Sequence, residues 1–165
     1  MRIKINLKPQ VSQNQGPNLK IRLNKELLHE VENLTEESLS LEFKVLLNDI
    51  NTLTIEHWGK DPTFIPSGED IAVEIDSISI NNIQLHRNLL YSCSEFYPNW
   101  KYGDSPNIVY DNCYLGYNGV WCLNLPKNPV AWIMEYIEQE MFNSAPIQGS
   151  TQGQTDEDFK REFLS

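Results

Sequence analysis

The chain is short of cysteine, short of positive charge and without a long apolar run, and each shortage removes a class of protein. Three cysteines, Cys93, Cys113 and Cys122, make an odd number in 165 residues, which does not suit a disulfide framework. They read as small buried apolar residues. Thirteen basic residues against 23 acidic ones leave a formal charge of −10. Nucleic-acid binding rests on clustered Lys and Arg that track phosphates, so nucleic acid is not an expected partner. No stretch of about 18 apolar residues occurs, which argues against a membrane-spanning helix. The first eight residues, Met-Arg-Ile-Lys-Ile-Asn-Leu-Lys, alternate charge with apolar side chains where a signal segment would be continuously apolar. A strand is expected there, and a cytoplasmic location.

Catalytic signatures are missing as well. There is no Gly-x-Ser-x-Gly, no glycine-rich phosphate loop, no His-Glu-x-x-His and no Cys-x-x-Cys. Only His29, His57 and His86 supply imidazoles, and none stands near a plausible nucleophile in sequence. Glu56 and Glu74 are a pair that two-carboxylate sugar hydrolysis could use, although strand carboxylates at this frequency are ordinarily solvated sheet face. The expectation is a protein that is not an enzyme.

What the chain has in quantity is alternation. Ile3, Ile5 and Leu7 alternate with polar residues, as do Leu19, Ile21 and Leu23, and the two stretches flank a loop holding Pro9, Gly16 and Pro17. They are expected to pair as an N-terminal β-ribbon over 1–24, with a Lys/Arg face suited to an edge. Leu27, Leu28, Val31 and Leu34 fall at helical spacing, so a short amphipathic helix is expected within 25–38. Alternation returns over 39–47, a turn follows at Asn48-Asp49, and 52–58 is the next strand. After the loop from Gly59 to Gly68, Ile71, Val73 and Ile75 give way to Ile78, Ile80 and Ile83. The phase shift at Asp76-Ser77 predicts a bulge, and Asn81-Asn82 a turn.

Residues 113–125 carry an Asn118-Gly119 pair between extended residues, the signature of a type I′ hairpin. In that register Tyr117 faces Val120, Leu115 faces Cys122, and Trp121 covers Gly116. Cys113 and Cys122 become diagonal neighbours about 7–8 Å apart, too far for easy bridging. Asn128 as N-cap, Pro129 at the first helical position, and the stripe Val130, Ile133, Met134, Ile137 and Met141 predict a helix over 129–142. Beyond it lies a Ser/Gln/Gly/Thr linker and a charged decapeptide.

Regular strands with turn signals between them and only one or two helices indicate an antiparallel jelly-roll-type β-sandwich over 25–142, closed by the C-terminal amphipathic helix. Residues 143–165 are expected to be a flexible linker and docking peptide, because such a composition cannot bury enough surface to order itself. Phe159, Phe163 and Leu164 share one face of a short helix, and are the expected anchors for a protein partner or for homo-oligomer formation. Tyr97, Trp100 and Tyr102, set among Pro98, Gly103 and Pro106, form a candidate ligand-binding loop that can stack on sugar rings or anchor a protein. Asp61, Glu69, Asp70 and Asp76, with Glu74, put oxygen donors around one loop; their spacing matches no calcium-loop motif, so the expectation is an acidic solvated loop and no cofactor, with calcium as the alternative.

Three stretches carry a resemblance: Leu53-Thr54-Ile55-Glu56-His57-Trp58-Gly59-Lys60, the alternating run from Glu69 to Ile83, and Tyr114 to Trp121 followed by Pro129 to Ile137. This order is similar to small proteins of tailed phages, particularly T4-like phages of marine cyanobacteria, with a sandwich like that of calcium-dependent xylan-binding modules. The resemblance covers roughly residues 50–140 and implies a fold and a setting. It matches no calcium ligand of those modules residue by residue. On this reading the chain is a non-catalytic structural or assembly component of a phage particle, found in the host cytoplasm or the virion and acting through protein contacts. The alternatives are a carbohydrate-binding module, with or without calcium, and a phage-encoded inhibitor that competes for basic surfaces of a host protein.

Overall fold

The structure, a computed structural model, describes residues 1–99, 101–102 and 105–144; of residues 101, 102, 105 and 106 it describes the backbone. The chain divides into two units, 1–133 and 134–165, and both large sheets belong to the first. In chain order the strands are β1 (Arg2–Gln10), β2 (Asn18–Leu23), β3 (Glu26–Val31), β4 (Leu39–Lys44), β5 (Ile50–Trp58), β6 (Ala72–Ile80), β7 (Ile83–Gln84), β8 (Ser94–Pro98), β9 (Lys101–Tyr102), β10 (Ser105–Pro106), β11 (Val109–Tyr110), β12 (Tyr114–Leu115) and β13 (Gly119–Pro126). Two helices, α1 (Arg87–Cys93) and α2 (Pro129–Ser144), and one 3-10 turn at Pro62–Phe64 complete the described elements. Neither helix is long and apolar enough to cross a membrane.

One sheet has the order β12-β6-β1-β4, with β7 added to β6; the other runs β11-β8-β13-β5-β2-β3; β9 and β10 make a separate pair. Every pairing is antiparallel. The period-2 patterns of the sequence become the two inner faces. Ile3, Ile5, Leu7, Val73, Ile75, Ile78 and Ile80 are buried on the first sheet, and Leu19, Ile21, Leu53, Ile55, Phe96, Trp121 and Leu123 on the second. This is the expected antiparallel β-sandwich.

Local signals account for its bends. Asn6 pairs with Ser77 and Leu7 with Ile75, so Asp76 is the extra residue of a bulge, as the phase shift predicted. Asn81 and Asn82, with φ of 48° and 66°, form the two-residue turn between Ile80 and Ile83. At α2, the Ala131 amide donates to Asn128 Oδ1 at 3.4 Å, which makes Asn128 the N-cap.

Four expectations are corrected. β1 and β2 do not pair as a ribbon: β1 lies between β6 and β4, and β2 between β5 and β3, so neither is an edge. Residues 26–31 form a strand, not a helix, because β2 offers an open row of backbone groups and a short isolated helix is marginal in water. Of the presumed helical stripe only Leu34 is buried at its core, while Leu27 is 45 % exposed. Residues 87–93, over which no helix is predicted, are helical with Leu89 and Leu90 buried.

The fourth correction concerns 113–125, which is not a hairpin. β12 joins β6 in one sheet and β13 inserts between β5 and β8 in the other, so the chain crosses the sandwich between them. Neither Asn118 nor Gly119 has the positive φ a type I′ turn requires. Asn118 instead holds a distant loop, accepting from the Lys60 amide at 2.9 Å and donating to the Lys60 carbonyl at 2.8 Å. Gly119 is required by close approach: a Cβ there would lie 2.4 Å from the Tyr97 carbonyl oxygen. Trp121 faces Ile55 and Phe96 rather than Gly116, and its Nε1–H donates to the Asn112 carbonyl at 3.0 Å.

Candidate binding cleft

β5 ends on His57 and Trp58, and successive strand residues face opposite sides. His57 turns into the sandwich and is 1 % exposed, while Trp58 lies on the outer side, opposite Asn18 of β2. Gly59, at φ +74°, then bends the chain away in a conformation that favours glycine. Around this strand end lies a cleft of about 370 Å³, within the range of small-ligand sites. Asn18, Asn33, His57, Trp58, Lys60 and Phe64 are among the residues that line it.

One wall is stitched by side-chain amides. The Asn33 amide donates to Asn18 Oδ1 at 2.8 Å, and the Gly16 amide to Asn33 Oδ1 at 2.8 Å. Gly16 lets the two loops touch, since a Cβ on it would lie 1.8 Å from the Leu34 carbonyl oxygen. The other wall is the loop after β5, gripped by Asn118. There Asp61 caps the 3-10 turn by accepting from the Thr63 amide at 3.0 Å and hydroxyl at 2.6 Å, and these bonds hold its carboxyl below its usual range. The turn presents Phe64 to solvent at 76 % exposure.

Two buried polar atoms of the lining residues have no hydrogen-bond partner among the described residues, His57 Nε2 and Trp58 Nε1. His57 Nδ1 lies 3.1 Å from the Leu115 carbonyl oxygen. A carbonyl only accepts, so Nδ1 carries the proton and Nε2 is left as a lone-pair acceptor. Burial pushes the His57 pKa down and the charge of Lys60 adds to this, against the opposing backbone of Leu115 and Tyr117 and the charge of Asp70, so the ring is neutral at neutral pH. The cationic side chains nearby are already engaged. Lys60 donates to Asp70 and to the Gly116 carbonyl, and Lys20 lies 3.3 Å from Glu30 and 4.7 Å above the Trp58 ring. The residues lining the cleft therefore combine aromatic surface and amides with two buried atoms, one donor and one acceptor, that have no partner among the described residues.

The carboxylates proposed for calcium do not form a cage. Asp61 caps its own turn, Ser12 donates to Glu69, Asp70 pairs with Lys60 and accepts from Tyr114, and Asp76 pairs with Lys8. Among the described residues no three His, Cys, Asp or Glu side chains gather to hold a metal ion. Glu56 and Glu74 belong to different sheets, and Glu74 accepts from Arg87 at 2.8 Å, so they are not assembled as a hydrolytic pair. Tyr97 is 38 % exposed on β8, and the bond its hydroxyl donates to Glu95 pushes its pKa up to about 12. Trp100 and the side chain of Tyr102 lie outside the described residues, as do the tail anchors Phe159, Phe163 and Leu164. Sequence reasoning missed the cleft. His57-Trp58-Gly59 at a strand end was its visible signal, whereas Asn18 and Asn33 reach it only through the pairing of β2 with β5.

Fold and cleft together define an antiparallel β-sandwich with a polar, aromatic-walled cleft at one strand end. No family model matches the chain and no curated protein matches it, so neither comparison lends support to a phage setting. Among solved structures, the selenomethionine form of vCBM60, reported with two circularly permuted families of calcium-dependent carbohydrate-binding modules, is similar with a TM-score of 0.49 and 11 % identity. The match covers 74 % of this chain and 88 % of that one.

Proposed function

We propose that this protein is a non-catalytic binding protein for a neutral carbohydrate, held in the cleft at the end of β5. The observation that carries the reading is the pairing of aromatic surface, Trp58 and Phe64, with a buried donor and a buried acceptor that have no partner among the described residues. A leaving-alone cost of about 1–3 kcal/mol for each such group is relieved by a ligand that supplies both hydrogen-bond roles. Hydroxyls do so, and the C–H face of a sugar ring suits an aromatic wall. Nucleotides and other polyanions fit poorly, because Lys60 and Lys20 already face carboxylates and the chain carries a net charge of −10. Glu56 and Glu74 lie on different sheets, so this reading draws no hydrolytic step from that pair.

The test is an amide-resolved NMR titration with a panel of neutral oligosaccharides at millimolar concentrations. Saturable shifts are expected in 57–64 and around Asn18 and Asn33, and Trp58→Ala or Phe64→Ala abolishes them while the rest of the spectrum persists. No shift with any neutral saccharide, or shifts confined to another surface, overturns the reading.

A further inference from the structure

Resting on the carbohydrate reading of the cleft, we infer that His57 is the specificity-determining acceptor: its Nε2 lone pair takes a hydrogen bond from one particular hydroxyl of the ligand. His57 is 1 % exposed, on a strand residue that faces the inside of the sandwich. Its Nδ1–H is committed to the Leu115 carbonyl at 3.1 Å, which fixes the ring plane and leaves the opposite nitrogen, buried and unpartnered, among the residues lining the cleft. An apolar side chain of similar shape would fill this position without such an orphan. The lone pair repels a carboxylate or phosphate oxygen and finds nothing in a C–H or an ether oxygen, so it reads a donor. The indole Nε1–H of Trp58 has the opposite need and selects an acceptor elsewhere on the same ligand. The cleft thus discriminates between sugars that differ only in the presence or capping of one hydroxyl. A site built around a hydrogen-bonded hydroxyl rejects the analogue lacking it far more strongly than an apolar pocket rejects an extra methylene.

Two substitutions separate this role from a structural one. In His57→Asn the shorter side chain keeps a donor near the Leu115 carbonyl and loses the Nε2 contact; in His57→Gln an amide oxygen reaches the Nε2 position. With a saccharide that binds the wild type in the cleft, His57→Asn is expected to weaken binding about tenfold or more, and His57→Gln to restore most of it. Deoxy analogues of that saccharide, hydroxyl by hydroxyl, include one that loses as much on the wild type as the substitution does. That analogue loses nothing further on His57→Asn.

Binding is also expected to be flat above the His57 pKa and to weaken as pH falls through it, because protonation removes the acceptor. The charged groups acting on the ring are Lys60, which disfavours the imidazolium, and Asp70, which favours it. Nitrogen chemical shifts of the ligand-free ring give the tautomer directly. An Nε2–H tautomer, wild-type affinity in His57→Asn, or affinity unchanged through the measured His57 titration overturns this inference while leaving the carbohydrate reading standing. Absence of any saccharide response at Trp58 and Phe64 overturns both.

Discussion

Lys60 offers the sharpest test of how the cleft is supported. Its side chain is 8 % exposed and its ammonium donates to Asp70 Oδ1 and to the Gly116 carbonyl, tying the loop after β5 to the segment that crosses between the sheets. Asp70 is 30 % exposed, and also accepts from the Tyr114 hydroxyl at 2.7 Å and the Ile71 amide at 2.8 Å. The two ends of this pair are therefore unequal. Lys60→Met removes the cation, but Asp70 keeps two donors and some water, so the cost is about 1–2 kcal/mol. Asp70→Asn leaves a nearly buried ammonium facing a neutral amide and one carbonyl. Breaking a fully buried pair costs about 3–5 kcal/mol, and partial exposure of Asp70 brings the expected loss to about 3 kcal/mol.

Once the lysine is gone, the asparagine costs little, so the double variant is less damaged than the sum by at least about 1 kcal/mol. Urea unfolding followed by tryptophan fluorescence on the four proteins measures all of this. Costs that add within about 0.5 kcal/mol, or an Asp70→Asn less harmful than Lys60→Met, would refute the reasoning. The same pair predicts a pH limb. Burial raises the Asp70 pKa, but the bonds from Lys60 and Tyr114 and the charge of Lys60 outweigh it, so the folded carboxyl titrates below its ordinary value. Its contribution is complete above the ordinary carboxylate range and disappears as pH falls through the lowered value; Asp70→Asn flattens that part of the stability profile.

Two further outcomes follow from burial. Trp121→Ala, which empties the largest fully buried side chain among the described residues and strips the Asn112 carbonyl of its donor, costs about 3–5 kcal/mol in the same unfolding assay, whereas the Trp58→Ala change at the cleft costs clearly less. Burial pushes the Cys113 thiol up to about 11, so at pH 8 it is alkylated far more slowly in the native protein than in urea; equal rates by peptide mass spectrometry would show that the site is open.

The strands could be read before the fold was known because a half-buried strand writes its burial into every second residue. Ile3-Ile5-Leu7 and Leu53-Ile55 carry that pattern, and even the bulge at Asp76 shows as a slipped phase. Residues 25–38 misled because Leu27, Leu28, Val31 and Leu34 satisfy a helical period that nothing in the fold uses: the segment gains more from backbone pairing with β2 than from a short helix. Asn118-Gly119 misled for a related reason. Its two residue types are the ones a tight turn needs, yet an asparagine also clamps backbone at a distance and a glycine also permits close approach. Which use applies depends on what stands 58 residues earlier, at Lys60, and across the sheet, at Tyr97.

Alternation, charge balance and missing motifs were thus enough to determine a mainly β, acidic chain with an inner apolar face and without a recognisable catalytic signature, since these are properties of neighbours in sequence. The binding cleft belongs to tertiary structure alone. Asn18, Asn33, His57 and Phe64 are scattered along the chain and meet because β2 pairs with β5 and the following loop is held by Asn118. Whether the His57 ring has an unsatisfied nitrogen is likewise a question of three-dimensional neighbours, because a hydrogen bond is satisfied or left open by whatever the fold brings within 3 Å, and no local pattern records that.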